Sequence, residues 1–476
     1  MNLAEQLKKQ STILNTKGGQ YYATSYNNNL DYFACVSRFN PPFYIKRKFA
    51  DALEENKEVA LANLLYSLDI REGKGERKIF KESFKYLCLN DFNSAQKILP
   101  FIGKLGRYDY ILEGLYTPLE EDVINYISRT LEKDLEADNP SLLAKWLPSH
   151  RNGKKTNLKT RYLIKKLGIT EEKYRKILSL LRKKIDLIET KLTNKEYQAI
   201  DYENVPCKAL LKYKKAFKTN DAEAYDNYLA SVKQDKKKIN TKGLFAYEII
   251  KKVWASYNKN DTLLDMLWEN QKDVLKGTNT NVLVVADTSG SMECYDAIPL
   301  ASSIGLALYT AERNNGLFKD MFITFSSRPS LQLVKGKTIQ EKVRGIRCIV
   351  DNTDIDKVFE LILKTMEKGN GTQEDLPSHI LIISDMEFDD GVYSKDGTNF
   401  EGWKEAFEEK GYKLPKVIFW NVAGKTRGCP TTKYSNDVIM VSGFSTNLLE
   451  NMFDLENYKP EEYMLNTLQK YIDMLK

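Results

Sequence analysis

Histidine is nearly absent from this chain. Its 476 residues include only His150 and His379. That excludes a multi-histidine metal centre and weakens any Ser-His-Asp or Cys-His catalytic scheme. The six cysteines, Cys35, Cys88, Cys207, Cys294, Cys348 and Cys429, are scattered and form no C-x-x-C pair. Such spacing supports neither a disulfide framework nor a zinc site, so a reducing, cytoplasmic setting is the expectation. Long apolar runs are missing as well. The longest, such as Val282–Ala286 and Val417–Trp420, are strand-sized, far short of the ~20 residues of a spanning helix. The opening Met1-Asn-Leu-Ala-Glu-Gln-Leu-Lys-Lys lacks the apolar h-region of a signal peptide. No membrane partner is expected.

What is present is a folded composition, 42% hydrophobic and 29% charged, on a chain long enough for about two to four domains. The net charge of +7 is unevenly spread. Residues 141–243 carry 26 Lys and Arg against 11 Asp and Glu, a local +15, and the remainder nets −8. One basic segment in an acidic chain points to a polyanion, most simply nucleic acid. A lysine-rich solvated surface is the plainer alternative.

The pattern changes near residue 275. Residues 1–275 read as helices. Ala50–Leu68 sets Ala52, Leu53, Val59, Leu61, Leu64 and Leu65 at helical spacing, and Ile79–Leu87 and Glu120–Leu131 behave alike. Tyr174–Ile188 reads as one amphipathic stretch with Ile177, Leu178, Leu181, Ile185 and Ile188 on one side. Such segments imply an α-solenoid of HEAT-like form or an irregular bundle; no strict period decides between them. Residues 276–476 alternate strand and helix. Strands are expected at Val282–Ala286, Met321–Phe325, Ile380–Ser384, Val417–Asn421 and Val438–Val441. Helices are expected at Ala297–Glu312, Asp354–Met366, Trp403–Glu409 and from Thr446 onward. That order predicts a doubly wound parallel sheet, an α/β module beside an α module.

Two expected strands end in aspartate. Val282-Leu-Val-Val-Ala-Asp287 continues as Thr288-Ser289-Gly290-Ser291-Met292, and Ile380-Leu-Ile-Ile-Ser ends on Asp385. If the strands are neighbours, both carboxylates and two serine hydroxyls share the crevice where open α/β sheets bind ligands. Oxygen-only ligation suits a hard divalent cation, Mg²⁺ first, which keeps waters and so leaves a position open for a partner's carboxylate. The alternative is a helix cap, with Ser289 or Ser291 at the N-cap.

Asp287-Thr-Ser-Gly-Ser-Met resembles the metal-ion-dependent adhesion site (MIDAS) of von Willebrand factor A domains. The resemblance implies Ser289 and Ser291 as direct ligands, with Asp287 and Asp385 ligating or holding metal-bound water. It also implies a threonine from the loop between the strands. Thr353, in Asp351-Asn-Thr-Asp, fits that place, and Thr338 in Gly336-Lys-Thr competes for it. Arg71-Glu-Gly-Lys-Gly-Glu-Arg77 and Gly106-Arg-Tyr-Asp109 resemble elements of TROVE modules, the helical-repeat rings joined to A domains in Ro autoantigens. Ser141-Leu-Leu-Ala-Lys-Trp-Leu-Pro148, Tyr174-Arg175, Val205-Pro206 and Ser442-Gly-Phe-Ser445 are closer to a TROVE-like family of phages, bacteria, plants and viruses.

The TROVE resemblance implies a ribonucleoprotein component that binds structured small RNA or single-stranded RNA ends. The residues agree in kind. Lys145, Arg151, Lys154, Lys155, Lys159, Arg161, Lys165, Lys166, Arg175, Arg182 and Lys183 offer phosphate contacts, and Trp146, Tyr162 and Tyr174 offer stacking faces. A solvated face for the cations and core packing for the rings are the alternatives.

Gly336-Lys-Thr and Gly424-Lys-Thr imitate the end of a phosphate-binding loop, but Leu331 and Phe419 stand where its first glycine belongs. Glu387, Asp389 and Asp390 read as a solvated loop, with a second acidic site as the alternative. The resulting expectation is a non-catalytic RNA-binding protein with a Mg²⁺-dependent protein-docking domain. The alternative is an assembly protein that uses the metal site without RNA.

Overall fold

The computed structural model describes residues 12–15, 17–150, 158–256, 261–278, 281–325, 328–347, 354–389, 399–425, 428–450, 452–453, 455 and 458–476. The chain is a mixed α/β protein that divides into two compact units. One comprises Met1–Ser67, Glu72–Ile79 and Gly243–Lys476; the other comprises Leu68–Arg71 and Phe80–Lys242.

In the first unit, β1 (Thr12–Leu14) and β2 (Gln20–Tyr22) form a small antiparallel pair. The main sheet contains β3 (Val282–Asp287), β4 (Met321–Phe325), β5 (Ser330–Leu333), β6 (His379–Ser384), β7 (Lys416–Asn421) and β8 (Val438–Ser442), in the order β5-β4-β3-β6-β7-β8. Every neighbouring pair is parallel except β4 with β5. The sequence explains the centre of the sheet. β3, β6 and β8 are β-branched apolar runs buried at every position, as a parallel strand covered on both faces requires. The edge strand β5 escapes a sequence reading because Ser330-Leu-Gln-Leu is short and mostly uncovered.

β4 lies on one side of β3 and β6 on the other, so strand order reverses between β3 and β6. Their register pairs Val282 with His379 and Ala286 with Ile383. Both strands therefore end level, and the aspartates that follow meet at the switch point.

The expected boundary at residue 275 falls inside the first unit. Helix Ala246–Ala255 packs along helix Cys294–Arg313, where a Cβ on Gly305 would lie 3.1 Å from that of Ala246. Helices Asn28–Cys35 and Pro460–Leu475 pack against β8. Two expected helices prove to be pairs. The Ala50–Leu68 stretch breaks at Asn56, whose extended backbone separates Pro42–Glu55 from Lys57–Leu68. From Thr446 onward a short 3-10 turn, Thr446–Leu449, precedes the helix Pro460–Leu475.

The second unit is helical, with helices of 4 to 17 residues. Glu120–Glu136 buries Val123, Ile127 and Leu131, one per turn. Glu171–Lys184 is capped by Thr170, starts on two glutamates and ends on Arg182, Lys183 and Lys184, in the sense the helix dipole favours. It stops earlier than its apolar spacing suggests. Asp186 adopts φ +54 and turns the chain, so Ile188 opens the next helix, Ile188–Asn194, rather than closing this one. No helix among the described residues is long and apolar enough to cross a membrane.

Candidate metal centre

Asp287 and Asp385 leave adjacent strands and are fully buried. Asp287 Oδ2 accepts from Ser384 Oγ at 2.6 Å, and its Oδ1 accepts from the Ser289 amide at 2.9 Å. The Ser289 and Ser291 hydroxyls lie 3.0 Å apart. Asp385 Oδ1 accepts from the Glu387 amide at 3.1 Å. Ser289 is buried and Ser291 half-buried. Neither serine side chain caps the short turn Gly290–Glu293, so the cap alternative does not describe them. After that turn the chain passes through three left-handed residues, Tyr295, Asp296 and Ala297, before helix Cys294–Arg313 becomes regular.

Two carboxylates in one dry crevice repel each other. Burial first, and Asp385 second, push the Asp287 carboxyl well above its usual range, although Ser384 and Ser289 pull it down. The donor set therefore fits a hard divalent cation. It is all oxygen, it carries surplus negative charge, and its two hydroxyls already face one another.

The structure adds a group that sequence reasoning missed. Lys425 Nζ donates to the Ser291 carbonyl at 2.8 Å and lies 3.4 Å from Asp385 Oδ2. Burial disfavours this ammonium, but Asp385 and Cys294 outweigh it and hold Lys425 above its ordinary value. Its sequence signal is the Gly424-Lys-Thr string set aside as a phosphate-loop imitation, together with its position after β7, the strand next to β6. A cavity of about 710 Å³ opens beside it, lined by Phe39, Phe43, Tyr44, Arg47, Tyr295 and Glu387 among others. Tyr295 stacks on Phe39 with ring centres 4.0 Å apart. Glu387 is thus buried rather than part of a solvated acidic loop, because the chain turns it into this wall. Asp389 bridges to Gly18, and Asp390 lies outside the described residues.

Thr353 also lies outside the described residues. Its competitor Thr338 is committed elsewhere. It caps helix Ile339–Gly345, accepting from the Glu341 amide at 3.2 Å in a reciprocal capping box.

A second cluster was hidden by sequence distance. Cys35 and Cys429, 394 residues apart, bring their sulfurs to 3.0 Å, and Cys429 lies 3.4 Å from Asp31. Together these three could present ligand atoms to a metal. Asp31, however, already pairs with Lys48 at 2.8 Å and accepts from Thr24 and Ser25. Lys48 and these hydrogen bonds hold its carboxyl below the usual range despite burial.

In the helical unit the predicted phosphate contacts separate into groups. Arg161, Lys165, Arg175 and Lys183 are exposed, and Lys145 is half-exposed beside Trp146. Lys159 is half-buried and held below its ordinary value, chiefly by burial, with Lys81 and Lys85 acting against Glu113. Lys166 is taken up by Glu120 at 2.6 Å. Arg182 bonds the Ala144 and Leu147 carbonyls and the Ser149 hydroxyl, a structural use of three of its five donors. Lys154, Lys155 and Arg151 lie outside the described residues. Tyr174 is core, with its hydroxyl on the Pro148 carbonyl. Arg107 covers Trp146 at 3.9 Å, and Tyr162 donates to Glu120.

Residues 281–472 match a family model described as a domain of unknown function, DUF7788, and residues 153–282 match another, DUF2828. The chain is similar to the "Uncharacterized protein L728" of Acanthamoeba polyphaga mimivirus, 29% identical over 505 residues that span 96% of this chain and 87% of the relative.

Proposed function

We propose that this is a non-catalytic, cytoplasmic binding protein of two parts. One is a divalent-cation-dependent docking site of the von Willebrand A type. The other is a basic, HEAT-like helical unit that holds RNA in the manner of TROVE-related proteins. The observation that carries the reading is the meeting of Asp287 and Asp385, with Ser289 and Ser291, at the switch point of a parallel sheet. Ser289 and Ser291 would hold Mg²⁺ directly, with Asp287 and Asp385 around it. The ion would supply charge neutralisation and one open position for a partner's Asp or Glu. Among the described residues the carboxylates and hydroxyls of the crevice are the groups the ion itself would engage, which favours docking over hydrolysis.

Exposed Arg161, Lys165 and Arg175 support the RNA part. A second reading, an assembly protein without RNA, is favoured by the internal use of Lys166 and Arg182, which thins the basic face. Purification from the native host separates the two. A discrete co-purifying small RNA, identified by absorbance ratio and sequencing, supports the first. A nucleic-acid-free preparation with a stoichiometric protein partner supports the second.

A further inference from the structure

The carboxylate crevice carries a cation of the protein's own. Lys425 contacts both halves of the site, Asp385 through its carboxylate and the Ser289–Ser291 turn through the Ser291 carbonyl. Its backbone is firmly fixed. Asn421 Oδ1 accepts from the Ala423 and Gly424 amides, and the Val422 amide donates to the Ser384 carbonyl. Asn40 donates to the Gly424 carbonyl at 2.6 Å, and Gly424 holds φ +64 with no room for a Cβ beside Ser37. Such a turn delivers one side chain to one place. The four-carbon stem beyond it remains free to rotate. Lys425 and Glu387 line the same 710 Å³ cavity.

We propose that Lys425 is a built-in competitor of the divalent cation. Its ammonium partly neutralises the crevice in metal-free protein and has to leave Asp385 when the ion binds, swinging toward the cavity and Glu387. The inference rests on reading Asp287 and Asp385 as a metal centre. The physical ground is that an ammonium and a divalent ion cannot share Asp385 Oδ2 within a few ångströms in a poorly solvated crevice. The ion's affinity is thereby set lower than the oxygen ligands alone would give. Metal occupancy also changes the wall of the cavity a partner would enter.

The test is a Mn²⁺ titration of the full chain, with free ion followed by electron paramagnetic resonance. It compares the wild type with Lys425→Met and Lys425→Arg. The expected result is Mn²⁺ binding tightened on the order of tenfold in Lys425→Met, with no such gain in Lys425→Arg. Intact uptake with equal or weaker affinity in Lys425→Met overturns the proposal and leaves the metal centre standing. Uptake by none of the three proteins overturns the metal centre itself, and this proposal with it. Should Lys425→Met fail to fold, the wild type gives the answer through amine acetylation read by mass spectrometry. Lys425 should label faster with saturating Mg²⁺ than in chelator, and equal or slower labelling overturns the proposal.

Discussion

Replacing Asp287 by Asn should make the metal-free protein no less stable and abolish its response to Mg²⁺. The substitution keeps the shape of the side chain. Ser384 Oγ, which now donates to Asp287 Oδ2 at 2.6 Å, can rotate to accept from the new amide, while the Ser289 amide keeps its acceptor. What disappears is one of two buried negative charges. The Asp287 carboxyl is pushed up by burial and by Asp385, so the folded state resists losing that proton. A carboxyl raised in this way lowers stability as pH climbs from its unfolded pKa, near 4, toward its folded one. In chelator at neutral pH, the wild type should therefore be less stable than Asp287→Asn by roughly 1–3 kcal/mol. With Mg²⁺ the gap closes, and it reverses wherever the deficit is below the ion's contribution. At a free concentration about 100 times its Kd, the ion stabilises the wild type by ~2.7 kcal/mol. For a unit of this size that raises Tm by about 5 °C, at the low end of the shift per kcal/mol. Differential scanning fluorimetry in chelator and in Mg²⁺ measures both arms. A wild type indifferent to millimolar Mg²⁺, or an Asp287→Asn variant that still responds, refutes the reasoning.

Three further outcomes are expected. His379, between Phe453 and Tyr458, has its pKa lowered to about 4, by burial first and Lys416 second; stability should fall as pH drops from 6.5 to 4, by up to ~1.4 kcal/mol per unit, and urea melts across that range should show a shallower fall in His379→Phe. Gly424→Ala should cost at least about 2 kcal/mol by chemical denaturation, because φ is +64 and the new Cβ would meet Ser37 Cβ at 2.4 Å; wild-type stability would show the turn to be loosely held. Arg182→Ala should destabilise the helical unit by about 2–3 kcal/mol through three lost hydrogen bonds, whereas a combined Arg161→Glu and Arg175→Glu variant should melt as the wild type does but bind RNA with a flatter salt dependence; an unchanged salt slope would remove those residues from the interface.

The sheet was legible because its strands are self-declaring. Val282–Ala286 and Ile380–Ile383 are unbroken apolar runs rich in β-branched residues, as a buried parallel strand requires; Asp287 closes the first strand and Asp385 follows the second. Helix boundaries were less so. A single extended residue, Asn56, and a single left-handed one, Asp186, end helices whose apolar spacing continues past them, and periodicity carries no trace of either. The grouping of the chain was hidden for a related reason. Helices Asn28–Cys35 and Ala246–Ala255 look like the other N-terminal helices in sequence, but the faces they bury lie against β8 and helix Cys294–Arg313.

The site divides along the same line. Its anions were visible because strand, turn and ligand are consecutive in sequence, so one local pattern carries all three. Its cation was not, because Lys425 reaches Asp385 from a different strand's turn, 40 residues away. Charge counting fails in the opposite direction on the helical unit. Arg175 and Arg182 are equivalent in a sum of basic residues, yet one is exposed and the other ties down Ala144, Leu147 and Ser149. The +15 of residues 141–243 therefore overstates the charge open to a polyanion. The −8 elsewhere is untouched by pairs such as Asp31–Lys48, Glu76–Arg38 and Asp385–Lys425, because both partners fall in the same sum. What a partner meets is the difference left after such internal pairing. On the helical unit Arg161, Lys165, Arg175 and Lys183 are among the cations that stay exposed after it.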